Sequence, residues 1–149
     1  MNIYQKLKTD HDRHRELMRQ IADTSGDSEE RKRLFDVLVK EVESHAAAEE
    51  QTLYSELIES VETQPQTRHS VSEHKEASDY LEELQSTDMS NPAWLMTFKK
   101  FKDALEHHMK EEENDVFELS EDVIDDDRAV ALGAKFEGRK EVEKRRVEG

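Results

Sequence analysis

Two segments of the chain, HAAAEEQTLY (His45 to Tyr54) and HMKEEENDVF (His108 to Phe117), share one skeleton: a histidine, three residues, two glutamates, two residues, an aliphatic residue and an aromatic one. On a helix, His and Glu at i and i+4 lie on one face a turn apart, so each segment aims an imidazole and a carboxylate at a common point. That is the donor pair of a metal site. Two more histidines keep the same interval: His11 and His74 are 63 positions apart (74 − 11), as are His45 and His108 (108 − 45). Each half of the chain therefore reads as a helix with one His, a turn, and a helix with His-x-x-x-Glu.

The elements that must position these groups are helices. Only four Gly and two Pro punctuate 149 residues, and apolar residues recur at three- and four-residue spacing between them. The pattern predicts helices over about residues 2–23, 28–60, 66–86 and 91–119, the last opened by Asn91 as N-cap with Pro92 at the first helical position. Short turns between long helices predict an all-α, up-down antiparallel four-helix bundle. An acidic loop leads to an additional short C-terminal helix at about 127–145, whose Val130, Leu132 and Phe136 are expected to pad one end of the bundle. A single domain over 1–149 is the expectation, with the bundle at about 2–119 and a C-terminal extension at about 120–149.

Each helix has an apolar stripe that can be mapped without reference to the histidines. On the first helix His11 and His14 fall within it; on the second, His45 and Glu49 sit near its middle; on the third, Val71, Ala77, Leu81 and Leu84 bracket His74; on the fourth, Glu112 is central and His108 lies at the edge. His107 and His69 point elsewhere. A single inward His is usually a core residue with a hydrogen bond. A carboxylate on an apolar stripe is different, because burial forces it to protonate, pair or bind a cation, and the inward faces carry almost no Lys or Arg. A purely structural bundle would leave Glu49 and Glu112 without cations. Four His and two Glu are too many for one tetrahedral zinc and suit two metals, each with two His, bridged by both carboxylates and with a position open to an exogenous ligand. His14 is either one more ligand or a core histidine. Glu50, Glu111 and Glu113 lie off the stripe and read as solvated charges paired with Lys and Arg, and Tyr4 as a tyrosine at the edge of the core.

Composition narrows the chemistry. With 40% charged residues and a formal net charge of −15, nucleic acid and anionic membrane are excluded as partners. The absence of cysteine leaves only His, Asp and Glu to hold a metal, which suits iron, manganese or zinc. Neither a bilayer-length apolar run nor a signal peptide is legible, so a cytoplasmic location is expected.

The order His11, His45-x-x-x-Glu49, His74, His108-x-x-x-Glu112, within DHDRH, HAAAEE, EH and HMKEE, resembles the hemerythrin-like (HHE cation-binding) family. The resemblance covers about residues 2–119. It implies a four-helix bundle around two non-haem iron ions, bridged by an oxo or hydroxo group, that meets dioxygen, peroxide or nitric oxide. The oxygen-carrying members have a His-x-x-x-His pair on the third helix and a His-x-x-x-x-Asp on the fourth; here Ser78 follows His74 by one turn, and Glu112 follows His108 at the shorter spacing. The resemblance thus implies turnover of peroxide or nitric oxide, catalase-like in the first case, ahead of reversible oxygen carriage. The alternative it implies is a module that senses oxygen or iron, or binds oxygen, without turnover. The oligomeric state is left open.

Overall fold

A computed structural model describes residues 1–148. Helix α1 (Ile3–Ala22) starts at Asn2, whose side chain accepts from the Gln5 N–H while Gln5 accepts from the Asn2 N–H, each at 2.9 Å. This capping box satisfies donors that the first helical turn cannot. Helix α2 (Glu29–Glu49) is capped by Ser28 after a turn in which Gly26 takes φ +58°, a conformation that costs glycine nothing. It continues through a π-helical turn, Glu50–Tyr54, into α3 (Ser55–Leu57). Helix α4 (Gln64–Gln85) carries Pro65 in its first turn, where no N–H is needed. Helix α5 (Pro92–Glu111) opens on the predicted Asn91–Pro92 cap and runs through a second π turn, Glu112–Val116, into α6 (Phe117–Glu121). Helix α7 (Asp126–Glu148) follows.

The helices α1, α2–α3, α4 and α5–α6 form the antiparallel bundle, joined by short turns. Its core is two apolar clusters. One gathers Leu17, Ile21, Leu38, Leu81, Trp94 and Phe98; the other gathers Ile3, Leu7, Leu53, Leu57, Val116 and Phe136. Along α1, α2 and α5 the residues His11, His45, Glu49, His108 and Glu112 fall where one cluster gives way to the other, so the apolar layers seal a polar one from both sides.

Helix α7 begins one residue before the expected span and ends three after it, but it packs along α1 and α2 as well as closing one end of the bundle. Leu132 and Phe136 are buried there as expected, but Val130 is 54% exposed and Ala129 takes the inward place. The rest of the helix is held by polar contacts that leave no apolar period: Lys140 Nζ to Asp10 Oδ1 at 2.7 Å, Lys144 Nζ to Glu41 Oε1 at 3.3 Å, and Gln51 Nε2 to Glu143 Oε1 at 3.0 Å. Gly133 permits the crossing over α1, since a Cβ there would stand 2.7 Å from the Met1 carbonyl oxygen. Among the described residues no helix is long and apolar enough to cross a membrane.

Candidate metal centre

Four helices supply the polar layer: His11 from α1, His45 and Glu49 from α2, His74 from α4, and His108 from α5 with Glu112 at the start of the second π turn. All six are buried, and Glu49 and Glu112 are 0% exposed. Glu49, His74, His108 and Glu112 bring ligand atoms within 4.8 Å of one another, and so do His11, His45 and Glu112. Glu112 belongs to both groups. Its Oε1 lies 3.2 Å from His11 Nε2 and its Oε2 3.7 Å from His108 Nε2. Glu49 Oε1 likewise lies 3.2 Å from His74 Nε2 and 3.6 Å from His45 Nε2. Each carboxylate thus faces one imidazole of either group.

Two observations bear on whether a metal pair fits. The first is the hydrogen-bond account. Folded proteins satisfy nearly all buried polar atoms, yet among the described residues seven buried side-chain atoms have no hydrogen-bond partner: His11 Nε2, His45 Nε2, both ring nitrogens of His14, both oxygens of Glu49, and Glu112 Oε1. Five belong to this layer, and the two of His14 stand next to it. The second is spacing. The Nε2 atoms of His74 and His108 are 3.1 Å apart, and two nitrogens on one tetrahedral zinc-like ion are separated by about 3.3 Å. The donor set fits.

Every one of the four imidazoles is also held from behind. His11 Nδ1 meets Glu113 Oε2 at 2.6 Å, His45 Nδ1 meets Asp10 Oδ2 at 2.8 Å, His74 Nδ1 meets Glu50 Oε2 at 2.9 Å, and His108 Nδ1 meets Glu73 Oε1 at 2.9 Å. A carboxylate at Nδ1 fixes the tautomer with its proton there, turns the ring, and leaves the Nε2 lone pair for a cation. These four acids repeat at the same 63-residue interval as the histidines: Asp10 with Glu73 (73 − 10), and Glu50 with Glu113 (113 − 50). Glu113 meets Arg15 at 3.0 Å and Glu50 is 39% exposed, as their place off the stripe suggests, but each also binds an imidazole of the layer. The second Glu of each repeated segment was the signal, and so was the acid just before each lone His. Glu111 keeps to the surface, where it meets His69 and His107 and not Lys or Arg.

The aromatic position of the repeat also acts here. Tyr54 donates its hydroxyl proton to Glu112 Oε2 and stacks on His74 at 5.3 Å between centroids. Its counterpart Phe117 lies parallel to the His11 ring at 6.5 Å. Tyr4 bonds Ser120 Oγ at 2.7 Å, outside the centre.

Burial opposes charge on His11, His74 and His45, and the acids outweigh it. Glu112 and Glu113 push His11 up to about 9, and Glu49 and Glu50 push His74 up to about 10. His45 rises for the same reason, beside Asp10 and Glu49. Burial likewise opposes ionisation of Glu49, yet His45 and His74 hold it well below the usual carboxylate range. Burial, followed by Glu112 and Glu49, pushes Tyr54 well above the usual phenol range, so it remains a donor.

His14 is brought beside the site but outside both groups, its ring edge-on to His45 at 5.1 Å. Burial, reinforced by the charges of His45 and His11, holds it well below the ordinary histidine value and keeps it neutral. With His11, His45, His74 and His108 it lines a cavity of about 20 Å³, whose wall also includes Ser78 and Glu43, bonded to each other at 3.0 Å.

Fold and centre together define a four-helix bundle built to hold cations on histidine and carboxylate. The model of the hemerythrin HHE cation binding domain matches residues 2–120, and the chain belongs to that family. It is 32% identical over 140 residues to an uncharacterised protein of Mycobacterium tuberculosis and to one of Mycobacterium bovis, covering 93% of this chain and 85% of each relative. The crystal structure of a hemerythrin HHE cation binding domain-containing protein from Mycobacterium kansasii, a homologue of the tuberculosis protein, superposes with a TM-score of 0.88. It is 31% identical, and the match covers 98% of this chain and 89% of that one.

Proposed function

We propose that the protein is a non-haem di-iron protein that turns over small oxidants, with hydrogen peroxide as its principal substrate. In this reading His11 and His45 would hold one iron and His74 and His108 the other, with Glu49 and Glu112 as the carboxylates that serve both. The observation that carries it is the set of seven buried atoms without a hydrogen bond, five in one sealed layer and two on His14 next to it, around one small cavity. When bound, the metal pair supplies Lewis acidity and two-electron redox capacity.

The chain's own groups do the rest. The cavity has room for one or two water-sized molecules and little more, which selects peroxide, dioxygen or nitric oxide by size. Neutral His14 offers an N–H and a lone pair to such a molecule, so it can orient peroxide and pass a proton between its two oxygens. Tyr54 holds the Oε2 of Glu112 and keeps that carboxylate turned toward both groups. The apolar clusters above and below exclude bulk water. Peroxide is preferred because two molecules of it yield one dioxygen and two waters, a reaction balanced in electrons and protons that needs no separate donor. The whole chain serves as one domain in this reading, since Lys140 of α7 bonds Asp10 behind His45.

The test is peroxide consumption and dioxygen release by the iron-loaded protein. A ratio of two to one is expected, lost in His45→Ala along with the iron of its group and in Glu112→Ala along with both irons. A stable, reversible oxygenated form without peroxide consumption would overturn the reading in favour of a sensor or carrier.

A further inference from the structure

Two more His-x-x-x-Glu pairs lie outside the buried centre, His69 to Glu73 on α4 and His107 to Glu111 on α5. They meet across the seam between those helices. His69 Nε2 is 3.3 Å from Glu73 Oε2 and 3.1 Å from Glu111 Oε1; His107 Nε2 is 3.0 Å from Glu111 Oε2 and 3.6 Å from Glu73 Oε2. His69, Glu73 and Glu111 alone bring three ligand atoms within 4.8 Å of one another. Within that group His69 stands 3.1 and 3.3 Å from the two carboxylates, close to the roughly 3.3 Å edge of a tetrahedral site with bonds near 2.0 Å, and His107 lies beside it on the other Glu111 oxygen. The amide of Gln66 fixes Glu111 Oε1 at 2.9 Å.

The other half of the bundle shows what such a place requires. Asp10 is the counterpart of Glu73, and each binds the Nδ1 of the inward histidine on the following helix. The outer oxygen of Asp10 is met by a cation, the Lys140 ammonium of α7 at 2.7 Å. Helix α7 lies along α1 and α2, and on the α4–α5 side the outer oxygen of Glu73 looks instead toward His69 and His107. One half has a built-in cation where the other presents a set of cation ligands.

We propose that His69, Glu73 and Glu111 form a surface site for one divalent transition-metal ion of the zinc and ferrous-iron type, distinct from the buried pair, and that rotation of the 70% exposed His107 side chain supplies its fourth ligand. Two imidazoles with two carboxylates favour such ions over calcium or magnesium, which take oxygen ligands. Glu73 joins the two sites, with Oε2 on the surface and Oε1 on His108 Nδ1 at 2.9 Å. The inference stands on these four residues and holds whichever metal fills the interior.

The experiment titrates iron-loaded protein with zinc, removes loosely held metal by gel filtration, and counts both metals per chain. The wild type is expected to retain one zinc beyond its iron and to melt higher for it. The double variant His69→Ala with His107→Ala is expected to lose that zinc and its thermal shift while keeping its iron. Its side chains are 51% and 70% exposed, so the fold tolerates their removal. Glu111→Gln, which keeps both imidazoles, is expected to weaken zinc at least tenfold. The proposal is overturned if the wild type retains no zinc beyond iron, if the double variant retains as much as the wild type, or if each zinc gained is an iron lost in both proteins.

Discussion

Asp10 holds the Nδ1 of His45 at 2.8 Å with one oxygen and the Lys140 ammonium at 2.7 Å with the other. Burial opposes ionisation of this carboxyl, but His45 and Lys140 hold it well below the usual carboxylate range. It therefore acts as a fixed anion that orients the imidazole and ties α7 to α1. Asp10→Asn keeps the shape and removes the charge. It is expected to lower metal affinity about 10- to 100-fold, measured by competition with a chelator, and to leave helix content unchanged. Unaltered affinity would remove Asp10 from any role at the centre.

Glu112 belongs to both groups of ligand atoms, whereas His11 belongs to one. Removing them should thus have unequal effects. His11→Ala is expected to retain one metal per chain, on His74, His108, Glu49 and Glu112. Glu112→Ala is expected to retain none, since each group loses a donor and a bridge. Elemental analysis of both variants decides this, and equal loss would contradict a shared carboxylate.

Loading is expected to release protons. Without metal, His11 at about 9 and His74 at about 10 are charged at neutral pH. Each must deprotonate at Nε2 to bind a cation, so roughly two protons leave per chain at pH 7 and affinity rises with pH. The sign for stability is the opposite. These raised values stabilise the metal-free fold fully below the ordinary histidine value of 6.5, and that contribution is lost as pH rises through about 9 and 10. The metal-free protein should therefore melt progressively lower between pH 7 and 10, with a weaker trend once loaded. Calorimetry in buffers of different protonation enthalpy checks the release, and no proton exchange at pH 7 would contradict it.

What the sequence disclosed was what helical period encodes. The apolar stripes pointed His11, His45, Glu49, His74 and Glu112 inward, and the Asn91–Pro92 cap placed the start of α5. Glu50 and Glu113 escaped because one residue beyond the ligand Glu is about 100° around the helix. Beyond the expected Arg15–Glu113 pair, each binds an imidazole on a neighbouring helix, a tertiary relation with no period of its own. The π turns after Glu49 and at Glu112 are likewise invisible to a 3.6-residue reading, and they are what bring Tyr54 round to Glu112. That α7 lies along α1 and α2 was not legible, because Lys140, Glu143 and Lys144 hold its second half through charge.

The central claim is a pair of metals sharing Glu112 within the sealed layer. Anomalous diffraction at the iron edge, from crystals of the iron-loaded protein, tests it most directly. Two buried peaks are predicted, one bonded to His11 and His45 and the other to His74 and His108, with the Glu112 carboxylate touching both. A single buried peak, or two with Glu112 bound to neither, would contradict the account.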